Sequence, residues 1–120
     1  MQILKLILQI VIAVGILSVW LLRFRQPSAW RGGSANNMRE EFAAYGLPSA
    51  VLYSAGFLKV LCALLLLSSL WIPSVAMPAC GLIAVLMLGA VAMHVKIGDP
   101  IKKSLPAATL FVFSLLVVIL

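Results

Sequence analysis

Apolar residues in this chain come in four long runs, from Ile3 to Leu22, Pro48 to Trp71, Val75 to Val95 and Pro100 to Leu120. Each approaches the ~20 residues that a helix needs to cross ~30 Å of hydrocarbon. The pattern predicts an all-α integral membrane protein, a four-transmembrane-helix bundle forming one membrane domain over residues 1–120. The first run superficially resembles a secretory leader, but it is too long, lacks a small-residue cleavage site and is followed at once by Arg23 and Arg25. A retained anchor is expected. Prolines punctuate the rest. Asp99-Pro100 reads as an N-cap before a proline at the first helical position, and Pro48 opens the second span similarly. Pro73 and Pro78 mark the short turn into the third span, and Pro106 predicts a kink about one turn inside the fourth.

The one polar stretch of any length is residues 23–46. Gln26-Pro27-Ser28 and Arg31-Gly32-Gly33-Ser34 read as loop. Asn36 to Tyr45 then predicts a short amphipathic helix, with Asn37 and Glu40 in capping-box spacing and Met38, Phe42 and Tyr45 on one face. Such a segment is expected to lie in the headgroup plane or to dip between span ends as a lid.

Composition excludes a soluble domain: 64% of the 120 residues are hydrophobic and only 10% charged, more apolar surface than so small a globule could hide. The net charge of +6 does not indicate nucleic acid, because the basic residues cluster at span ends rather than along a stripe. Arg23, Arg25, Arg31, Arg39, Lys96, Lys102 and Lys103 all fall in the linkers after spans one and three, and only Lys5 lies on the other side. The positive-inside rule then makes linkers 23–46 and 96–103 cytoplasmic and sets both termini outside.

Against this background Lys59 stands out, mid-way along the second span. An ammonium at that depth costs roughly 2.5–3.5 kcal/mol on insertion scales, so it calls for a partner, a hydrated cavity or a function. Its helical face carries Ala55, Gly56, Cys62 and Ala63, small residues that point it inward. His94 shares a face with Ala90, Met87, Ile83, Cys80 and Ala76. Side chains lean toward a helix N-terminus, so Lys59 and His94 incline toward each other, although about 13 Å of depth separates their backbones. The expected pocket opens at the cytoplasmic side, with Lys59, His94, Tyr45 and a counter-ion from Glu40 or Glu41; the competing reading is a structural ion pair beside an interfacial histidine. Cys62 and Cys80 lie at similar depth and are candidate redox cysteines, set against the simpler reading of small core residues. Metal-ligand clusters, nucleotide-binding glycines and catalytic triads are missing from the sequence, and no catalytic residue can be named.

The run Arg31-Gly-Gly-Ser-Ala-Asn-Asn-Met-Arg-Glu-Glu-Phe-Ala-Ala-Tyr-Gly-Leu-Pro48 resembles the first linker of DoxX-like membrane proteins. Gly56-Phe-Leu-Lys-Val-Leu-Cys-Ala-Leu-Leu-Leu-Leu, Leu86-Met-Leu-Gly-Ala-Val-Ala-Met-His94 and Lys96-Ile-Gly-Asp-Pro-Ile-Lys-Lys-Ser-Leu-Pro106 are similar to the same family. The resemblance spans nearly the whole chain. It implies a four-span bundle in the bacterial cytoplasmic (inner) membrane and a link to membrane redox systems, with a quinone as the one cofactor it suggests. Many relatives, as aligned, carry a glutamate where Lys59 stands, which implies that the pocket charge is inverted here.

Two functions are therefore expected to compete. One is an accessory subunit of a quinone-linked redox system, in contact with the lipid bilayer and partner subunits and without catalysis of its own. The other is a small-solute or proton carrier built on Lys59 and His94, for which four spans would call for a homodimer.

Overall fold

A computed structural model describes residues 2–27 and 30–120, so Ser28 of the expected Gln26-Pro27-Ser28 loop lies outside the described residues. The described residues are helical or in turns, with no strand among them. Helix α1 (Gln2–Leu17) continues through a π-helical turn, Ser18–Leu22; α2 is Met38–Ala44, α3 Ser49–Ser68, α4 Ala76–Lys96 and α5 Leu105–Ile119. With their flanking turns, α1, α3, α4 and α5 are each long and apolar enough to cross a bilayer. They close into a ring: α1 packs on α3 and α5, and α4 on the same two.

The bundle is hydrophobic on both sides of its helices, as a bilayer requires. Ile12, Ile16, Leu66, Ile83 and Val117 fill the centre, while Ile3, Phe57, Val85 and Val112 face outward. Lipid is as apolar as these side chains, so close backbone approach must hold the helices together. Ala13, Ala63, Ala76 and Ala79 supply it, all buried at the contacts.

Both ends of α2 are capped. At its start, Asn37 Oδ1 accepts the Glu40 amide at 2.9 Å, while Glu40 Oε1 accepts the Asn36 amide at 3.4 Å. At its end, the Leu47 amide reaches back to the Phe42 carbonyl and the Gly46 amide to Ala43, each at 3.0 Å. Gly46 makes this turn at φ 77°, a left-handed conformation that a side chain would disfavour. The inward side of α2 carries Met38 and Phe42, but Glu41 is buried there with them. Its burial ties α2 to the bundle more firmly than an apolar face resting on headgroups would.

The entry to the fourth span departs from the expected one. Pro100 leads into a 3-10 turn, Ile101–Ser104, and the α-helix begins only at Leu105. Pro106 therefore sits in the first helical turn, where its missing N–H removes no hydrogen bond, and no kink is needed. Asp99 is not an N-cap: its carboxylate accepts the Gly33 amide at 3.0 Å and contacts His94.

Candidate functional site

The end of the bundle that carries the two basic linkers encloses a cavity of about 380 Å³. Its apolar walls come from the ends of α1, α3, α4 and α5, and α2 with its preceding loop covers it. Lys59, Glu41, Tyr45, His94 and Arg31 all line it.

Trp20 reaches this cavity from the π turn, a rare widening of a helix that is often found at functional sites. Its ring comes close against α3 where residue 56 is glycine. A Cβ there would stand 2.5 Å from the indole Cζ3, well inside van der Waals contact. One helical turn on, Lys59 holds its Nζ 5.3 Å from the centre of the Trp20 ring. The π face stabilises the ammonium and the Glu41 charge acts on it from a distance, but among the described residues Lys59 has neither a hydrogen bond nor a direct ion pair.

Glu41 makes its direct ion pair elsewhere than with Lys59. Its Oε2 pairs with Arg31 Nη1 at 2.9 Å, with both side chains largely buried. The rest of the Arg31 guanidinium gathers carbonyls at the end of the first span, Arg23 O at 2.5 Å and Gln26 O at 3.0 Å. A helix ends with carbonyls that lack intrahelical donors, and the planar fork of arginine suits several at once. Arg31 thus ties the first span, the loop and α2 into one unit.

From Glu41 a hydrogen-bonded series runs across the cavity roof. Tyr45 Oη donates to Glu41 Oε1 at 2.8 Å. On its other side Tyr45 Oη lies 3.3 Å from His94 Nε2. His94 Nδ1 is 2.7 Å from Asp99 Oδ2. Burial, then the charge of Glu41 and the hydrogen bond to it, push the Tyr45 phenol far above its ordinary range, so it remains an O–H. Two lysines staple the linkers over this series: Lys96 Nζ donates to Tyr45 O at 2.9 Å, and Lys103 Nζ to Gly33 O.

Of the residues singled out in the sequence, Lys59, His94, Glu41 and Tyr45 meet at the cavity. Glu40 does not: it is exposed, and its carboxylate is occupied by Asn36 and Asn37 at the start of α2. Cys62 and Cys80 are free thiols within the apolar core cluster and do not line the cavity. Among the described residues no His, Cys, Asp and Glu group has the makings of a metal site. Sequence reasoning passed over Arg31, Asp99 and Trp20. Asp99 carried a usable signal, being the only aspartate in a chain with nine lysines and arginines.

Neither the curated proteins nor the solved structures include a match to this chain. The model of the DoxX-like family matches residues 7–117, a range that holds almost all of the four spanning helices, α2, and every residue of the cavity and its roof. The chain is a small multi-pass membrane protein and belongs to the DoxX-like family.

Proposed function

We propose that this protein is an accessory subunit of a quinone-linked redox system, with the cavity seating a quinone headgroup. The observation that carries this reading is Lys59: an ammonium with no hydrogen bond or direct ion pair among the described residues, laid against Trp20 on the wall of an apolar cavity. A quinone ring offers what this wall lacks. Its face stacks on indole, and its carbonyl oxygen accepts a charge-assisted hydrogen bond from an ammonium. The volume of about 380 Å³ falls in the range of small-molecule sites. The apolar walls suit a molecule that arrives from the lipid.

In this reading residues 1–120 form one domain in the bacterial inner membrane. The basic linkers 23–46 and 96–103 lie on the cytoplasmic side and the termini outside, as their charge asymmetry favours. Among the described residues the cavity wall holds no cysteine and no metal-ligand cluster, so in this reading electrons pass through a partner subunit. Carriage of a solute across the membrane fits less well. Beneath the cavity the bundle core is filled by Ile12, Leu66 and Ile83, all 0% exposed.

The test is titration of purified protein in lipid nanodiscs with a short-chain quinone, read by Trp20 fluorescence in a Trp30→Phe/Trp71→Phe background. Saturable quenching is expected, together with co-purification of a redox partner from native membranes. Absence of saturation, with isolation as a lone quinone-free species, would overturn the reading.

A further inference from the structure

The cavity has a basic rim that the seating of a quinone headgroup leaves unused. Arg23, Trp30 and Lys103 line the cavity; Arg23 and Trp30 are also exposed, as is Pro106 on the wall. A residue that lines a cavity and is exposed as well stands at its mouth. Arg23 follows the first span, while Lys103 and Pro106 open the fourth, so this mouth lies between α1 and α5. Further in the two helices meet, where a Cβ on Gly15 would touch Leu110 Cδ2 at 3.9 Å. The mouth is thus a cleft with cations at its linker end and apolar walls that include Val19 and Ala107.

The backbone around these cations is pinned. Arg31 fixes the turn after the first span by donating to the carbonyls of Arg23, Phe24 and Gln26. Lys103 Nζ donates to Gly33 O, and the Gly33 amide donates to Asp99, which joins the two linkers. Lys103 keeps two further N–H donors. Lys102 Nζ stands 5.9 Å from the centre of the Trp30 ring. Among the described residues none of Arg23, Lys102 and Lys103 has an ion pair. The charge of Asp99 acts on Lys103, but its oxygens are engaged by His94 and the Gly33 amide.

We propose that this mouth binds an anionic phospholipid, its phosphate among Arg23, Lys102 and Lys103 and an acyl chain in the cleft between α1 and α5. Basic pockets between spanning helices hold anionic lipid headgroups in this way. Arginine offers a phosphate two parallel hydrogen bonds, and the lysines add charge. Trp30 at the rim belongs to the side chain type that gathers at headgroup level. A free phosphate would use the cations and leave the apolar cleft empty, whereas a phospholipid uses both. Lys59 lies midway along α3 and takes no part, so the site does not depend on the quinone reading.

The test is binding of a fluorescent phosphatidylglycerol to the full chain in mild detergent, read by anisotropy and competed with unlabelled compounds. Phosphatidylglycerol should displace the probe about tenfold more readily than phosphatidylcholine with the same chains. Glycerol phosphate, the headgroup without chains, should not displace it at the same concentrations. Arg23→Gln and Lys102→Gln should each weaken binding about fivefold, the equivalent of about 1 kcal/mol for a cation near the headgroup. Arg39→Gln, which removes an exposed cation lying over Tyr53 instead, should leave binding unchanged. Lys59→Met should also leave it unchanged, so failure of this site and failure of the quinone reading are told apart. Equal displacement by the two lipids, displacement by glycerol phosphate, or equal losses in Arg39→Gln and Arg23→Gln would overturn the proposal. A loss in Lys59→Met would move the headgroup to the wrong wall and overturn it too. If a variant fails to fold, wild type decides: the preference for phosphatidylglycerol should fade toward ~1 M salt, where screening acts within ~3 Å, and a preference indifferent to salt refutes the site.

Discussion

Arg31 and Glu41 meet at 2.9 Å, and that contact, rather than one with Lys59, engages the only carboxylate lining the cavity among the described residues. The pair joins the loop to α2, and its neutralised charge leaves the cavity wall net positive.

Removing one partner of a buried ion pair strands the other, which typically costs about 3–5 kcal/mol. Arg31→Met and Glu41→Gln should each destabilise the fold by an amount of that order. The double variant should recover much of the loss, because no charge is then stranded. Thermal unfolding in detergent micelles, compared across the four-member cycle, checks this. Additive losses would show that the two residues act separately.

Gly56 is the second sensitive point. Gly56→Ala places a methyl where Trp20 Cζ3 now lies, and indole has little freedom to yield. Overpacking of this kind costs about 1–3 kcal/mol. The displaced ring should also lose its stacking over Lys59. In protein with Trp20 as sole tryptophan, Gly56→Ala is expected to shift the emission maximum and to weaken quinone quenching. An unchanged spectrum would mean that the ring does not rest on α3.

Asp99 sets an acid limit on the roof. Burial raises its carboxyl, but hydrogen bonds from His94 and the Gly33 amide, with the charges of His94 and Lys103, outweigh that and hold it below the ordinary value. A group with a depressed folded pKa stabilises fully above its unfolded pKa, roughly 3.9 for aspartate, and loses that contribution as pH falls through the folded value. The linkers should therefore stay docked at neutral pH and loosen below about pH 4. Asp99→Asn should loosen them already at pH 7. Hydrogen exchange at the Gly33 amide reads this directly, and equal protection in wild type and Asp99→Asn would remove Asp99 from the role.

How much of this could be read from the sequence depends on the range of the interaction. The four spans are legible because hydrocarbon thickness imposes a length on every helix, and α2 because Asn37, Glu40 and the 38/42/45 spacing are local. Lys59 was conspicuous by its cost alone. Arg31 and Asp99 were not, because each has a sufficient local explanation, an orientation charge in one case and a helix cap in the other. Their actual partners lie across the fold: Asp99 meets Gly33, 66 residues away in the chain. The cavity depends on a π turn and a missing Cβ, neither of which leaves a periodic trace. Glu40 and Glu41 are adjacent, and only the docked phase of α2 decides which one faces inward.

Lys59→Met separates the cost of the charge from its use. An uncompensated ammonium in a span costs roughly 2.5–3.5 kcal/mol, and the contact with Trp20 returns about 0.5–2 kcal/mol of that. Replacing it with methionine should leave insertion intact and make the bundle more stable, by about 1 kcal/mol or somewhat more. Quinone affinity should move the other way. A hydrogen bond from a charged group contributes about 1.5–3 kcal/mol, so its loss should raise the Kd about tenfold or more. Lys59→Arg keeps the charge and should retain most of the affinity while crowding Trp20. A residue that lowers stability and raises affinity is being kept for its ligand. If Lys59→Met instead lowers the unfolding temperature and leaves the quinone titration unchanged, the lysine is structural and the cavity serves something else.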